Sequence, residues 1–189
     1  MKKKVIIVGA AGRDFHNYLV FFKNHPNYEV IAFTQAQIPG IAKRKFPKAL
    51  AGKKAISMYP ESKLPDLIKK HNIDYVCLAY SDLPHQEVME KASIALANGA
   101  NFLLLGTKDT QVNSKKPVIS ITAVRTGSGK SQTSRAVAEI LRSKNKKVVA
   151  IRHSMPYSKN LTKQRVQRFA TAEDFKKHKT TIEEEEEYQ

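Results

Sequence analysis

Residues 123–131, Ala-Val-Arg-Thr-Gly-Ser-Gly-Lys-Ser, constrain this chain more than any other stretch. They lie between an apolar run at 117–122 that reads as a strand and an amphipathic run at 132–143 that reads as a helix. A loop that wraps a polyphosphate must turn successive backbone N–H groups inward, and glycine fits where a Cβ would obstruct the anion. Gly127 and Gly129 supply that freedom, with Thr126, Ser128 and Gln132 around them. Lys130 is spaced to reach the outer phosphates, and the Ser131 hydroxyl is spaced to ligate Mg²⁺. The following helix would direct its positive end at the same anion. The general phosphate-loop pattern has glycine five residues before Gly129, where this chain has Val124. The competing reading is an ordinary turn with a helix cap at Ser128 or Ser131.

The remainder alternates strand and helix signals. Strands are expected at 4–8, 28–34, 55–58, 73–80 and 101–105. Helices are expected through Phe15, Tyr18, Leu19 and Phe22, over 64–71, and over 84–98 with Gly99 as the stop; residues 35–54 read as loop. This alternation predicts an α/β fold, a Rossmann-like parallel sheet over 1–106. A polar linker over 107–116 would lead into an incomplete P-loop NTPase α/β domain over 117–189, with a second strand at 148–151 and Ala136, Val137, Ile140 and Leu141 facing inward from its helix.

The first strand ends in a Gly9-x-x-Gly12 turn, which suggests a phosphate site, and Arg13 could help the helix start hold an anion or be a solvated surface residue. The dinucleotide fingerprint is incomplete. A further glycine would fall at Phe15, and the second strand ends in Phe33-Thr34-Gln35 without the acid that holds ribose hydroxyls. A degenerate or non-dinucleotide site is the better reading. Ser81, Asp82, His85, Gly106, Thr107 and Lys108 gather at expected strand ends as secondary candidates. Arg152 opens a basic segment leaving the strand at 148–151, while Lys163, Arg165 and Arg168 share a helix face as either an anion clamp or a solvated basic surface.

Lys and Arg number 33 against 17 Asp and Glu, a net charge of +16, so anionic partners are expected. Aromatic residues do not interleave with the basic ones, which disfavours nucleic acid. No apolar stretch approaches a membrane span, no signal segment is recognisable, and Cys77 is the single cysteine, so a cytoplasmic location is expected.

Three separated motifs then carry a resemblance across essentially the whole chain. They are Thr-Ala-Val-Arg-Thr-Gly-Ser-Gly-Lys-Ser-Gln-Thr-Ser-Arg at 122–135, Arg-His-Ser-Met-Pro-Tyr at 152–157, and Lys-Gln-Arg-Val-Gln-Arg-Phe-Ala-Thr at 163–171. Together they closely resemble the cyclic 2,3-diphosphoglycerate synthetase family, also described as predicted P-loop GTPases. The opening at 9–17, and 33–34 with 37–41, look similar to it as well. The resemblance implies ATP- and Mg²⁺-dependent closure of an intramolecular phosphoanhydride in 2,3-diphosphoglycerate. Lys130, Arg152, Arg165 and Arg168 would offset charge there. Val124 is usual in that family. Its members run more than twice this length, so an N-terminal portion is expected, with the carboxylate that completes the Mg²⁺ site lying further on. A GTPase-like enzyme and a non-catalytic module for a phosphorylated metabolite are the alternatives, and a homodimer is left open.

Overall fold

The computed structural model describes residues 1–9, 12–36, 44–80, 83–123, 127–152, 166–178, 180 and 185. They divide into two compact units, one from Met1 to Asn113 and the other taking the described residues from Ser114 onward.

The first unit is built on a six-stranded sheet. Its strands are β1 (Lys3–Val8), β2 (Tyr28–Gln35), β3 (Lys45–Phe46), β4 (Ile56–Pro60), β5 (Tyr75–Leu78) and β6 (Asn101–Leu104). Their spatial order is β3-β4-β2-β1-β5-β6, and every pairing is parallel except the short β3 on β4. Counting the parallel strands alone, the order is third, second, first, fourth, fifth, the doubly wound arrangement whose chain reverses direction beside β1. Residues Val5 to Val8 are fully buried. Val5 and Ile7 pack on one face while Ile6 and Val8 pack on the other, which is why this strand reads as a continuous apolar run.

Helices α1 (Arg13–Asn17), α3 (Leu64–His71) and α4 (His85–Ala97) follow the predicted alternation. Gly99 has a left-handed φ of 92°, and the Ala100 N–H reaches back to the Ala95 carbonyl at 3.0 Å, ending α4 as expected. From Tyr18 to Phe22 the first helix widens into a π turn, in which the Lys23 N–H donates to the Tyr18 carbonyl at 2.8 Å. The wider turn places Tyr18 and Phe22 in the core and leaves Leu19 exposed, against the regular spacing expected of it.

Residues 35–54 are not simply loop. They contain β3 and the one-turn helix α2 (Lys48–Ala51), because Phe46 supplies a core side chain that is 1% exposed. Its ring lies 4.8 Å from Phe15, 5.4 Å from Tyr18 and 5.5 Å from Phe33, and the Tyr18 hydroxyl donates to the Ala51 carbonyl at 2.8 Å. The start of the expected linker is also structured: α5 (Thr107–Thr110) belongs to the first unit. His16 Nε2 is 2.6 Å from the Thr110 carbonyl, which can only accept, so this nitrogen carries the proton.

The second unit departs further from expectation. Its described helices are α6 (Lys130–Ser143) and α7 (Ala172–His178), and the strands expected at 117–122 and 148–151 do not form. Val118 is 67% exposed, Ile119 61%, Val149 84% and Ile151 92%. Ala136 and Ile140 of α6 are exposed as well. A parallel strand needs flanking strands to satisfy its backbone, and no strand among the described residues of this unit supplies them. The P-loop α/β sheet expected here is therefore absent from the described residues.

Phe46→Ala is expected to destabilise the protein by about 3–5 kcal/mol, the usual loss for a buried ring, in urea unfolding followed by circular dichroism. A loss below about 1 kcal/mol would show β3 to be an ornament on the core.

Candidate functional site

In the second unit, Gly127 and Gly129 both adopt left-handed φ, 78° and 77°. A Cβ on Gly127 would meet nothing within 4 Å, so the demand for glycine there is conformational. At Gly129 a Cβ would also stand 3.4 Å from Gln132 Oε1. Gly129 is the N-cap of α6 and makes no side-chain cap hydrogen bond. The Thr133 N–H and hydroxyl return to the Gly129 carbonyl at 3.1 and 3.0 Å, and the Ser134 hydroxyl to that of Lys130 at 2.8 Å. Lys130 and Ser131 thus occupy the first turn of a 14-residue helix, half-buried, with Ser128 and Gln132 exposed beside them. Thr126 lies outside the described residues.

The arginine expectations fare differently. Arg152 and Arg168 lie on exposed, irregular backbone, and residues 166–168 are not helical. The shared helix face expected of Arg168 is thus corrected: the helix of this region begins at Ala172. Lys163 and Arg165, like residues 153–157, fall outside the described residues.

In the first unit, the carboxyl ends of β1, β2 and β5 mark the side on which a doubly wound sheet places its ligands. Gly9 ends β1, and its N–H donates to the Thr34 carbonyl at 3.0 Å. A Cβ there would lie 2.3 Å from Asp14 Cβ, so glycine at this position is what lets α1 pack on the strand. Gly12 is the N-cap of α1, and its N–H donates to Asp14 Oδ1 at 2.6 Å. Gln35 Nε2 donates to Asp14 Oδ2 at 3.1 Å. Arg13 is exposed; it favours the Cys77 thiolate, but burial outweighs it and pushes the Cys77 thiol up to about 12. Asp14 and Asn17 are buried polar groups that the sequence reading did not single out, and Gln35 entered it only as the strand end where an acid was missing. Nothing in their spacing distinguishes them from helix-surface and strand-end residues.

A second polar group ties the strand ends together on the opposite face. The Ala36 N–H donates to the Tyr80 hydroxyl at 3.2 Å, which donates in turn to Glu61 Oε2 at 3.4 Å. Glu61 also pairs with Lys91, whose ammonium stands 5.7 Å from the Tyr80 ring centre. Burial is the main cause that pushes Tyr80 up to about 12. His85 starts α4, Gly106 caps α5, and Thr107 and Lys108 are exposed on it, whereas Ser81 and Asp82 lie outside the described residues. Among the described residues no three His, Cys, Asp or Glu side chains gather as metal ligands, and no helix is long and apolar enough to cross a membrane.

The strand order defines the first unit as a Rossmann-like α/β domain, and a glycine loop opens the helix of the second. The chain is 56% identical over 191 aligned positions to arginine synthetase ArcE of Thermococcus kodakarensis, a match covering all of this chain and 42% of that relative. It therefore spans less than half of that protein's length. No family model matches. Among solved structures, UDP-D-quinovosamine 4-dehydrogenase from Vibrio fischeri aligns with a TM-score of 0.45 and 23% identity, over 56% of this chain and 80% of that one. The Rex-family repressor RSP aligns at 0.43 and 16%, over 76% and 61%. The fold rests on the strand order and not on these distant likenesses.

Tyr80 has a stated consequence for stability. Its folded-state value lies above the ordinary tyrosine value of 10, so its contribution is complete below pH 10 and is lost as the pH rises toward about 12. Tyr80→Phe should flatten the alkaline fall in the urea midpoint between pH 10 and 12, leaving the slope due to Cys77 and Tyr18, which burial also raises, and to Lys3, which its pairing with Asp74 raises. An unchanged slope would show that Tyr80 titrates equally in both states.

Proposed function

We propose that this chain is the nucleotide-binding amino-terminal part of an ATP-dependent synthetase, and that the reaction it serves forms arginine. The observation that carries the reading is the 56% identity, along the whole chain, to a relative named arginine synthetase. The left-handed glycines before the Lys130 helix support the nucleotide assignment. In this reading Gly127, Ser128 and Gly129, with Thr126 and Gln132, cradle the ATP phosphates through backbone amides. Lys130 brings a positive charge to the outer phosphates. Ser131 offers a hard hydroxyl oxygen of the kind Mg²⁺ takes, and Mg²⁺ would neutralise charge on the polyphosphate. Arg152, Arg165 and Arg168 offset charge on the transferring phosphoryl group. Such an enzyme would work in the cytoplasm, on a nucleotide and a small-molecule substrate.

A second reading keeps the same nucleotide chemistry and takes 2,3-diphosphoglycerate as the acceptor, closing its phosphoanhydride ring. It is favoured by the three motifs at 122–135, 152–157 and 163–171. GTP would fit the same loop, since backbone amides and Lys130 read phosphates and not the base.

Mg²⁺-ATP binding to the chain, measured by calorimetry, should weaken about 10- to 100-fold in Lys130→Ala, the range expected for a charge-assisted contact. Equal affinities would remove the loop from the argument. The reaction is best tried in a polypeptide of the relative's full length. Arginine, ADP and phosphate should give ATP with an equal loss of arginine, which is cleaved back to the compounds it was formed from, a direction that requires no knowledge of the precursor in advance. ATP consumption that responds to 2,3-diphosphoglycerate and not to arginine chemistry would move the assignment to the second reading.

A further inference from the structure

The β1–α1 turn of a dinucleotide-binding sheet presents its amides and the start of its helix to a pyrophosphate. Here the Gly9 and Gly12 ends of that turn meet a side chain of the same polypeptide. Asp14 is fully buried, and its Oδ1 accepts the Gly12 N–H at the N-cap of α1 at 2.6 Å. Its carboxyl atoms stand 2.6 and 2.9 Å from where a Cβ on Gly9 would be, so the space that glycine leaves open is already filled. Gln35 ends the strand where a ribose-binding acid would stand, yet it is 1% exposed and turned inward onto Asp14 Oδ2 at 3.1 Å. Gln35 Oε1 and Asn17 Oδ1 are buried acceptors with no hydrogen-bond partner. Asn17 lies one helical turn from Asp14.

We propose that Asp14 is an internal anion occupying the phosphate position of the first unit, and that it specifies this Rossmann-like domain against dinucleotides. Two features act together. The carboxylate takes an amide that a pyrophosphate would need, and it repels a second anion at the same helix start. Gly9 and Gly12 therefore serve helix packing and the carboxylate, and the dinucleotide pattern is incomplete because its ligand is replaced from within the chain. Discrimination by an unfavourable group fits a chain that carries a separate phosphate loop in its other unit.

The test uses the full chain carrying Lys130→Ala, which removes the loop of the second unit, so that its outcome does not depend on the ATP reading. NADH fluorescence titration should show no saturable binding up to about 1 mM, a concentration at which even weak specific sites fill. Asp14→Ala in the same background should bind inorganic pyrophosphate at least about tenfold more tightly than the parent, by calorimetry, since it frees one amide and removes one charge. Asp14→Asn, which keeps the shape and removes the charge, should show a smaller gain and covers the case in which the alanine variant does not fold. NADH binding at tens of micromolar in the parent would overturn the proposal. So would folded Asp14 variants with pyrophosphate affinity equal to the parent's. Should neither variant fold, the NADH titration decides alone.

Discussion

The pairing of β1 on both edges is what the rest of the first unit depends on. Its partners are β2 and β5, with Val5 to Val8 at zero exposure, so its backbone is satisfied laterally and its side chains are covered above and below. The chain reverses direction beside this strand, which places the carboxyl end of β1 on the side where such a sheet takes its ligands. The polar groups at that end are positioned relative to a strand paired on both edges and buried on both faces. The buried Asp14 carboxylate is tolerable there because the Gly12 amide and the Gln35 amide group meet it.

The legible parts of the fold were those in which a signal is repeated over many residues. Continuous apolar runs gave β1 and β5, helical periodicity gave α3 and α4, and Gly99 marked a stop by its backbone alone. β3 was illegible because its place in the core hangs on one ring, Phe46, within a Lys- and Pro-rich stretch that otherwise reads as loop. The π turn was hidden for a related reason: a regular period assigns Leu19 to the core, and one widened hydrogen-bond ring removes it. In the second unit the error ran the other way. Residues 117–122 and 148–151 have strand composition, but composition cannot supply the neighbouring backbone that makes a strand.

The candidate sites divide along the same line. The turn before α6 was readable because two closely spaced glycines ahead of a helical run call for left-handed backbone, which Gly127 and Gly129 hold. The Asp14, Asn17 and Gln35 group was not, since its meaning comes from which atoms the sheet brings together. An aspartate two residues after a glycine is ordinary, whereas one folded back onto that glycine's amide changes what the turn can accept.

The lysines at the start of the chain give the net charge of +16 a direction. Lys2 donates to the His25 carbonyl at 2.6 Å, Lys4 to the His71 carbonyl at 2.9 Å, and Lys3 pairs with Asp74 at 3.1 Å, while the Lys4 N–H donates to the same carboxylate at 2.8 Å. All three ammonium groups are thus held around the amino ends of β1 and β5, across the sheet's length from the carboxyl ends. They act as bolts at the base of the sheet, and total charge overstates the pull that the first unit exerts on an anion approaching its far end.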